Sequence, residues 1–275
     1  MKIDEKKILY NLLETSNAYI NKTAKSSPPH FTDDFVEQSK VLPSNPVKPT
    51  ENKTTLEYIA QQIATCQRCQ LSKTRHYTVP GNGVEHPLVL IIGEGPGEDE
   101  DLSSQPFVGR AGQLLDKMMA AIQLSKTTNV FISNIVKCRP PHNRNPEPQE
   151  SEACRSWLDS QIILLQPKAI LALGKVASHN LLGISDTMSK MHGQFYNYRG
   201  IPVMPTYHPS ALLRNESMKR PAWEDLKKLR AELLKMAPGY TDASYYTLAE
   251  HKPKMAYPQS SVFNNLMKQI PRYNN

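Results

Sequence analysis

The chain has 275 residues, enough for one substantial core, with 22 prolines against 12 glycines. Its formal net charge of +7 is spread along the sequence, so it fits a polyanion partner no better than it fits an ordinary solvated surface. No run of about 18 apolar residues occurs, which excludes a membrane-spanning helix, and acids among the first lysines argue against a signal peptide. A cytoplasmic protein is expected, and in that compartment four cysteines call for a role other than disulfides.

In residues 4–20, Ile8, Leu9, Leu12, Leu13 and Ala18 recur near helical spacing and predict a short amphipathic helix. The stretch 21–53 turns to Ser, Pro, Thr, Asn and Lys and reads as a flexible linker. This extension, 1–53, is either a partner-binding element or a loosely docked one. No obligate protein partner is expected, and the protein should be a monomer. A globular domain is expected over 54–238. Residues 239–275 show no sustained periodicity and read as a disordered tail.

Within the domain, Leu56, Ile59, Ala60 and Ile63 predict a helix that delivers Cys66 and Cys69. After Pro80-Gly81, the apolar run Leu88–Ile92 reads as a buried strand. It feeds GEGPGEDED, a loop with Gly93, Gly95 and Gly97 and the acids Glu94, Glu98, Asp99, Glu100 and Asp101. A helix is expected over 113–123 and a second strand over 129–133, ending on Asn134. The proline-rich loop KCRPPHNRNPEP leads to a helix over 148–165. A third strand, 169–173, ends at Gly174 and precedes another helix. A hairpin, 194–198 and 201–205, turns at Arg199-Gly200 and runs into Tyr207-His208-Pro209. The last helix is expected over 221–236.

Strands alternating with helices predict a three-layer α/β/α fold with a central, mostly parallel four-stranded sheet. Glu94, Asn134, Gly174 and His208 each follow a strand. Parallel strands end on one edge, so these distant residues should converge there.

Cys66-x2-Cys69 and the pair Cys138 and Cys154 supply four thiolates from two segments, enough for one tetrahedral site. Spacing alone leaves zinc and an iron–sulfur cluster both open. Four unrelated buried thiols would be the plainer reading, but no cysteine lies outside the set.

The motifs GEGPGEDED…QPFVGRAGQLLD, ISNIVKCRPP and YHPSALLR, with CQRC ahead of them, resemble the family 4 uracil-DNA glycosylases. The likeness covers roughly residues 54–237 in the family's order. Ser104 departs from the glycine usual in the family. The resemblance implies the glycosylase fold, uracil-containing DNA as substrate, and a structural [4Fe–4S] cluster held by Cys66, Cys69, Cys138 and Cys154. The activity it implies is hydrolysis of the N-glycosidic bond, which frees uracil and leaves an abasic site.

That chemistry requires a base taken out of the stack and then bound, read and released. Phe107, an aromatic among polar neighbours, suits stacking on the base. The Asn134 carboxamide matches the donor–acceptor edge of uracil, although alone it would read as a strand-end cap. His208 suits a donor to the departing base, although alone His-Pro is a turn. The position that carries a water-holding Asp or Asn in other families is Gly95 here. Glu94 is the nearest carboxylate, for either water or sugar. The resemblance assigns Glu100 to the C5 side of the base; the backbone N–H groups of Gly93, Gly95 and Gly97 are candidates for contacts with uracil or phosphate. Glu98, Asp99 and Asp101 read as solvated loop acids.

Arg110, Lys137, Arg139, Arg144 and Arg214 flank the same edge as candidate phosphate contacts. Leu212 and Leu213 are candidates for the wedge that fills the vacated stack, or else for helix core. Two other readings compete. A non-catalytic iron–sulfur or zinc protein that binds nucleic acid would not need Phe107, Asn134 and His208 together. A phosphate-binding α/β protein is disfavoured, because acids crowd the glycine loop.

Overall fold

A computed structural model describes residues 55–242. The helix and linker expected in the extension lie outside the described residues, as does the tail beyond 242.

Among the described residues six strands form one sheet: β1 (Asn82–Gly83), β2 (Val89–Gly93), β3 (Val130–Asn134), β4 (Ala169–Leu173), β5 (Tyr196–Tyr198) and β6 (Ile201–Thr206), in the order β1-β3-β2-β4-β6-β5. The four central strands, β3, β2, β4 and β6, are parallel. The four-stranded expectation therefore describes the centre of the sheet and omits two antiparallel edges. β5 is the first arm of the expected hairpin. Arg199 and Gly200 both take positive φ, the geometry of the tight turns that match strand twist. β1 is two residues long and carries no apolar alternation, so nothing in its side chains announces it.

The central strands read as apolar runs because both faces of the sheet are covered. Val89, Ile91, Val130, Ile132, Leu171 and Met204 point to one face, and Leu90, Ile92, Phe131, Ile170 and Val203 to the other. The first face packs against α3 (Arg110–Ala120) through Leu115 and Met119, and against α8 (Lys219–Met236) through Leu226, Leu229 and Leu233. The second packs against α4 (Pro148–Leu165) through Leu158 and Ile162, and against α5 (Gly174–Leu182) through Ala177 and Leu181; the one-turn α6 (Met188–Met191) follows α5. Each such fully buried aliphatic side chain contributes about 1.5–3 kcal/mol. α1 (Leu56–Ala64) docks Ile59 and Ile63 on Leu164 of α4, which brings the CxxC segment to that layer.

Two expectations need correction. GEGPGEDED is not all loop, because Glu98–Ser103 form a short helix, α2. Four acids in its first turn favour that helix through the N-terminal dipole, where no apolar periodicity marks it. The fold also continues past 238. Tyr240 is buried, and its hydroxyl donates to the Ile122 carbonyl at 2.9 Å. Among the described residues no helix is long and apolar enough to cross a membrane.

Candidate active site

The carboxyl ends of β2, β3, β4 and β6 open on one cleft of about 810 Å³. Glu94, Gly95, Gly97, Glu100, Phe107, Arg110, Asn134, Gly174, His208 and Arg214 all line it. The sheet edge gathers the residues that the sequence singled out, and the sheet register fixes how they meet. Gly93 pairs with Asn134 across β2 and β3. A Cβ on Gly93 would lie within 2.8 Å of the Phe107 ring and closer still to the Asn134 oxygen, so only glycine leaves that corner open. Gly174, at φ +83°, likewise lets its backbone pass the Cβ of His208.

Asn134 is 1 % exposed, and its Oδ1 has no hydrogen-bond partner among the described residues. An orphaned buried acceptor costs about 1–3 kcal/mol, so the site is built for a donor that arrives with a ligand. Phe107 is 6 % exposed and sits at φ 55°, a strained conformation for an aromatic residue. Its ring centroid is 5.6 Å from that of His208. Glu100 holds this turn: Oε1 accepts from the N–H groups of Val108 and Gly109 at 3.0 and 3.1 Å, and Oε2 accepts from Gly97 N–H at 3.0 Å. The Glu100 carboxylate lines the cleft and also staples α2 to the Phe107 loop.

His208 is the N-cap of α7 (Pro209–Arg214), and its Nδ1 accepts from the Ser210 main-chain N–H at 3.2 Å. Nδ1 is thus an acceptor, so the neutral ring carries its proton on Nε2. Burial, helped by the Arg214 charge, lowers its pKa to about 4. At neutral pH His208 is a neutral donor. Burial pushes the Glu94 carboxyl above its ordinary value, which brings it closer to the range of a working base.

The cationic rim divides. Arg110 and Arg214 are exposed and line the cleft. Arg144 also lines it but is held bidentate by Glu150 at 2.8 Å, and Arg139 pairs with Glu98 at 3.6 Å and with Asn143 at 2.8 Å. Lys137 is buried and reaches no solvent phosphate. Leu212 is 2 % exposed and belongs to the packing under α7, which removes it as a wedge. Leu213, 41 % exposed, keeps that assignment. Asp101 is no solvated acid: it is fully buried and accepts from the His76 N–H at 3.0 Å.

Sequence reasoning missed Lys175, an exposed cation on the cleft wall just after Gly174, and Ser210, which orients His208. The His-Pro-Ser spacing of an N-cap was the available signal for the second.

The four cysteines line one small pocket with Arg75, Lys137 and Trp157. Arg75 donates to the Cys138 sulfur at 3.1 Å, and the Trp157 indole donates to the Cys66 sulfur at 3.4 Å. Such donors stabilise thiolates. Among the described residues no three His, Cys, Asp or Glu side chains are placed to hold a single metal ion.

Residues 80–227 match the family model of the uracil DNA glycosylase superfamily. A type-4 uracil-DNA glycosylase of Sulfurisphaera tokodaii is 40 % identical over 184 residues, 64 % of this chain and 84 % of that protein. Type-4 enzymes of Archaeoglobus fulgidus and Thermotoga maritima are 38 % and 39 % identical. Those alignments cover 64 % and 66 % of this chain, and 92 % and 95 % of the relatives.

Proposed function

The chain belongs to the uracil-DNA glycosylase superfamily, and from that premise we propose that it hydrolyses the N-glycosidic bond of uracil in DNA. The products are free uracil and an abasic site. The observation that carries this reading is the buried, unpartnered Oδ1 of Asn134, which faces the cleft beside Phe107 and His208. A protein that only held nucleic acid by its backbone would have no use for that orphaned acceptor.

In this reading the uracil leaves the stack and lies against Phe107, a contact worth about 1–3 kcal/mol. Asn134 Oδ1 accepts from N3–H of uracil while the amide nitrogen donates to O4. As the N1–C1′ bond lengthens, its electron pair goes to the base and charge gathers on O2. The Nε2–H of His208 donates there, and being neutral it stabilises that charge without first giving up a proton. Glu94 is assigned to the water that adds to C1′; its carboxylate takes up the proton released, which then passes by way of solvent to the departing uracil anion and leaves neutral uracil and a regenerated carboxylate. Glu100 bounds the C5 side of the base. Main-chain N–H groups of the Gly93–Gly95 segment are assigned to uracil or phosphate, the Gly97 N–H being taken by Glu100; Arg110 and Arg214 take phosphates, and Leu213 fills the gap in the stack. The enzyme acts as a monomer, in the cytoplasm where its substrate DNA lies.

The residues of the cysteine pocket fit a [4Fe–4S] cluster: all four cysteines line it, and two N–H groups donate to their sulfurs. When bound, the cluster ties the Cys66–Cys69 segment to the 138–154 segment and supplies no chemistry to the base. The purified protein is expected to be yellow-brown, with broad absorbance near ~400 nm. Zinc without iron would remove the cluster assignment and leave the cleft assignment intact. The activity is tested by release of free uracil from a uracil-containing oligonucleotide. A protein that binds the oligonucleotide but frees no base refutes the reading.

A further inference from the structure

His208 follows a strand that is paired on one side only where it ends. β6 pairs with β4 as far as Thr206, but β5 reaches no further than Val203 on the other side. Among the described residues no strand flanks 204–206 there. A different group has to hold the exit from which Tyr207 and His208 enter the cleft. The tolerance is small, because a Cβ on Gly174 would lie 2.9 Å from the His208 Cβ.

Asp225 of α8 supplies that hold. Asp225 and Thr206 are both buried. Asp225 Oδ2 accepts from the Thr206 hydroxyl at 2.7 Å, and Oδ1 accepts from His192 Nδ1 at 3.1 Å. A carboxylate has acceptors alone, so this imidazole carries a proton on Nδ1. The His192 ring in turn lies against the Tyr207 ring, with centroids 5.0 Å apart. Lys228, about one turn further along α8, donates to the Gly193 carbonyl at 2.8 Å and steadies the same segment. The two residues ahead of His208 are thus tied to one carboxylate, Thr206 directly and Tyr207 through His192.

The arrangement has a cost. Burial pushes the Asp225 carboxyl above its ordinary value, and the hydrogen bonds from Thr206 and His192 work against that rise. An apolar residue would pack α8 on the sheet without this cost, as its neighbours Leu226 and Leu229 do. The acid at this position is accounted for by what it holds.

We propose that Asp225 is a positioning residue for the His208 donor: with Thr206 and His192 it clamps the exit of β6 and so sets where the His208 ring stands in the cleft. This rests on the reading of His208 as the donor to the departing uracil.

The test compares Asp225→Leu with Asp225→Asn in the full chain, on a uracil oligonucleotide. Leucine fills the space and accepts nothing. Asparagine accepts from Thr206 and can donate to the other tautomer of His192. Asp225→Leu should lower kcat about 10-fold with KM little changed, because a misplaced donor is missed only in the transition state. Asp225→Asn should stay within about threefold of wild type. In a His208→Ala background, Asp225→Leu should change the rate by less than about twofold, because the group it places is already gone. Single turnovers with enzyme in excess keep a smaller folded fraction from lowering that rate.

A wild-type kcat in Asp225→Leu, an asparagine variant as slow as the leucine one, or losses that multiply in the double variant would overturn the proposal. Where Asp225→Leu does not fold, Thr206→Val removes one hydroxyl from the clamp and keeps the shape of the strand. It should lower kcat about threefold, and Thr206→Ser, which keeps the hydroxyl, should recover most of that loss. A Thr206→Val protein with wild-type kcat overturns the proposal equally. A His208→Ala protein with wild-type kcat would sink the donor assignment and the clamp with it, a failure told apart from the others because it needs no change at Asp225.

Discussion

His208→Ala is expected to lower kcat for uracil release by about 10²–10³-fold, the usual loss when one preorganised donor to a developing oxyanion is removed. KM should move little, because the charge that this donor meets appears only as the bond breaks. The pH profile is the sharper readout. The ring's pKa is about 4, held below its ordinary 6.5 by burial and then by the Arg214 charge. The neutral donor therefore persists throughout the physiological range, and the acid limb that His208 sets on kcat/KM should lie near 4. An enzyme that needed a protonated imidazole would instead lose activity as pH rose through 6 to 7, and that result would sink the assignment.

Stability follows with a definite sign. The unfolded chain binds this proton below about 6.5 and the folded chain only below about 4. The histidine therefore makes the fold progressively less stable as pH falls from 6.5 to 4. In the His208→Ala protein that part of the acid sensitivity should be absent from thermal melts.

The parallel centre of the sheet was legible because its strands are buried on both faces and read as unbroken apolar runs. α4 was legible to the residue, since Pro148 opens it and Glu150 caps its start by accepting from Glu147 N–H. Phe107, Asn134 and His208 were legible through the family resemblance, since alone Asn134 reads as a strand-end cap and His208 as a turn, and His208 does cap a helix.

What the sequence hid was the fate of charged groups near the site. Asp101 sits in a run of four acids, and nothing local distinguishes the one that turns inward to hold His76. Lys137 precedes a cysteine in a basic loop and reads as a phosphate contact until its three buried acceptors, Ser133 Oγ, the Asn134 carbonyl and Gln161 Oε1, are seen. Leu212 and Leu213 are adjacent and identical. The helix phase that buries the first and exposes the second depends on where α7 starts, and His208 fixes that start as its cap.

Asn134→Asp should cut kcat/KM on uracil by at least about 10³-fold, because it replaces a donor–acceptor pair with two acceptors against a base edge that presents one of each. The variant should still fold. Among the described residues nothing donates to the Asn134 oxygen, so no bond to that atom is lost there, and the melting temperature is the control. The fraction of the variant that is protonated presents an O–H and a carbonyl oxygen, which in one proton placement match N3 and the exocyclic amine of cytosine, an edge that the asparagine amide opposes in this orientation. Cytosine release relative to uracil release should therefore rise in the variant. Two oligonucleotides differing in that one base, incubated with each protein and assayed for strand breaks after alkali, measure both effects. Uracil release at the wild-type rate would take Asn134 out of the site, and with it the observation on which the proposed activity stands.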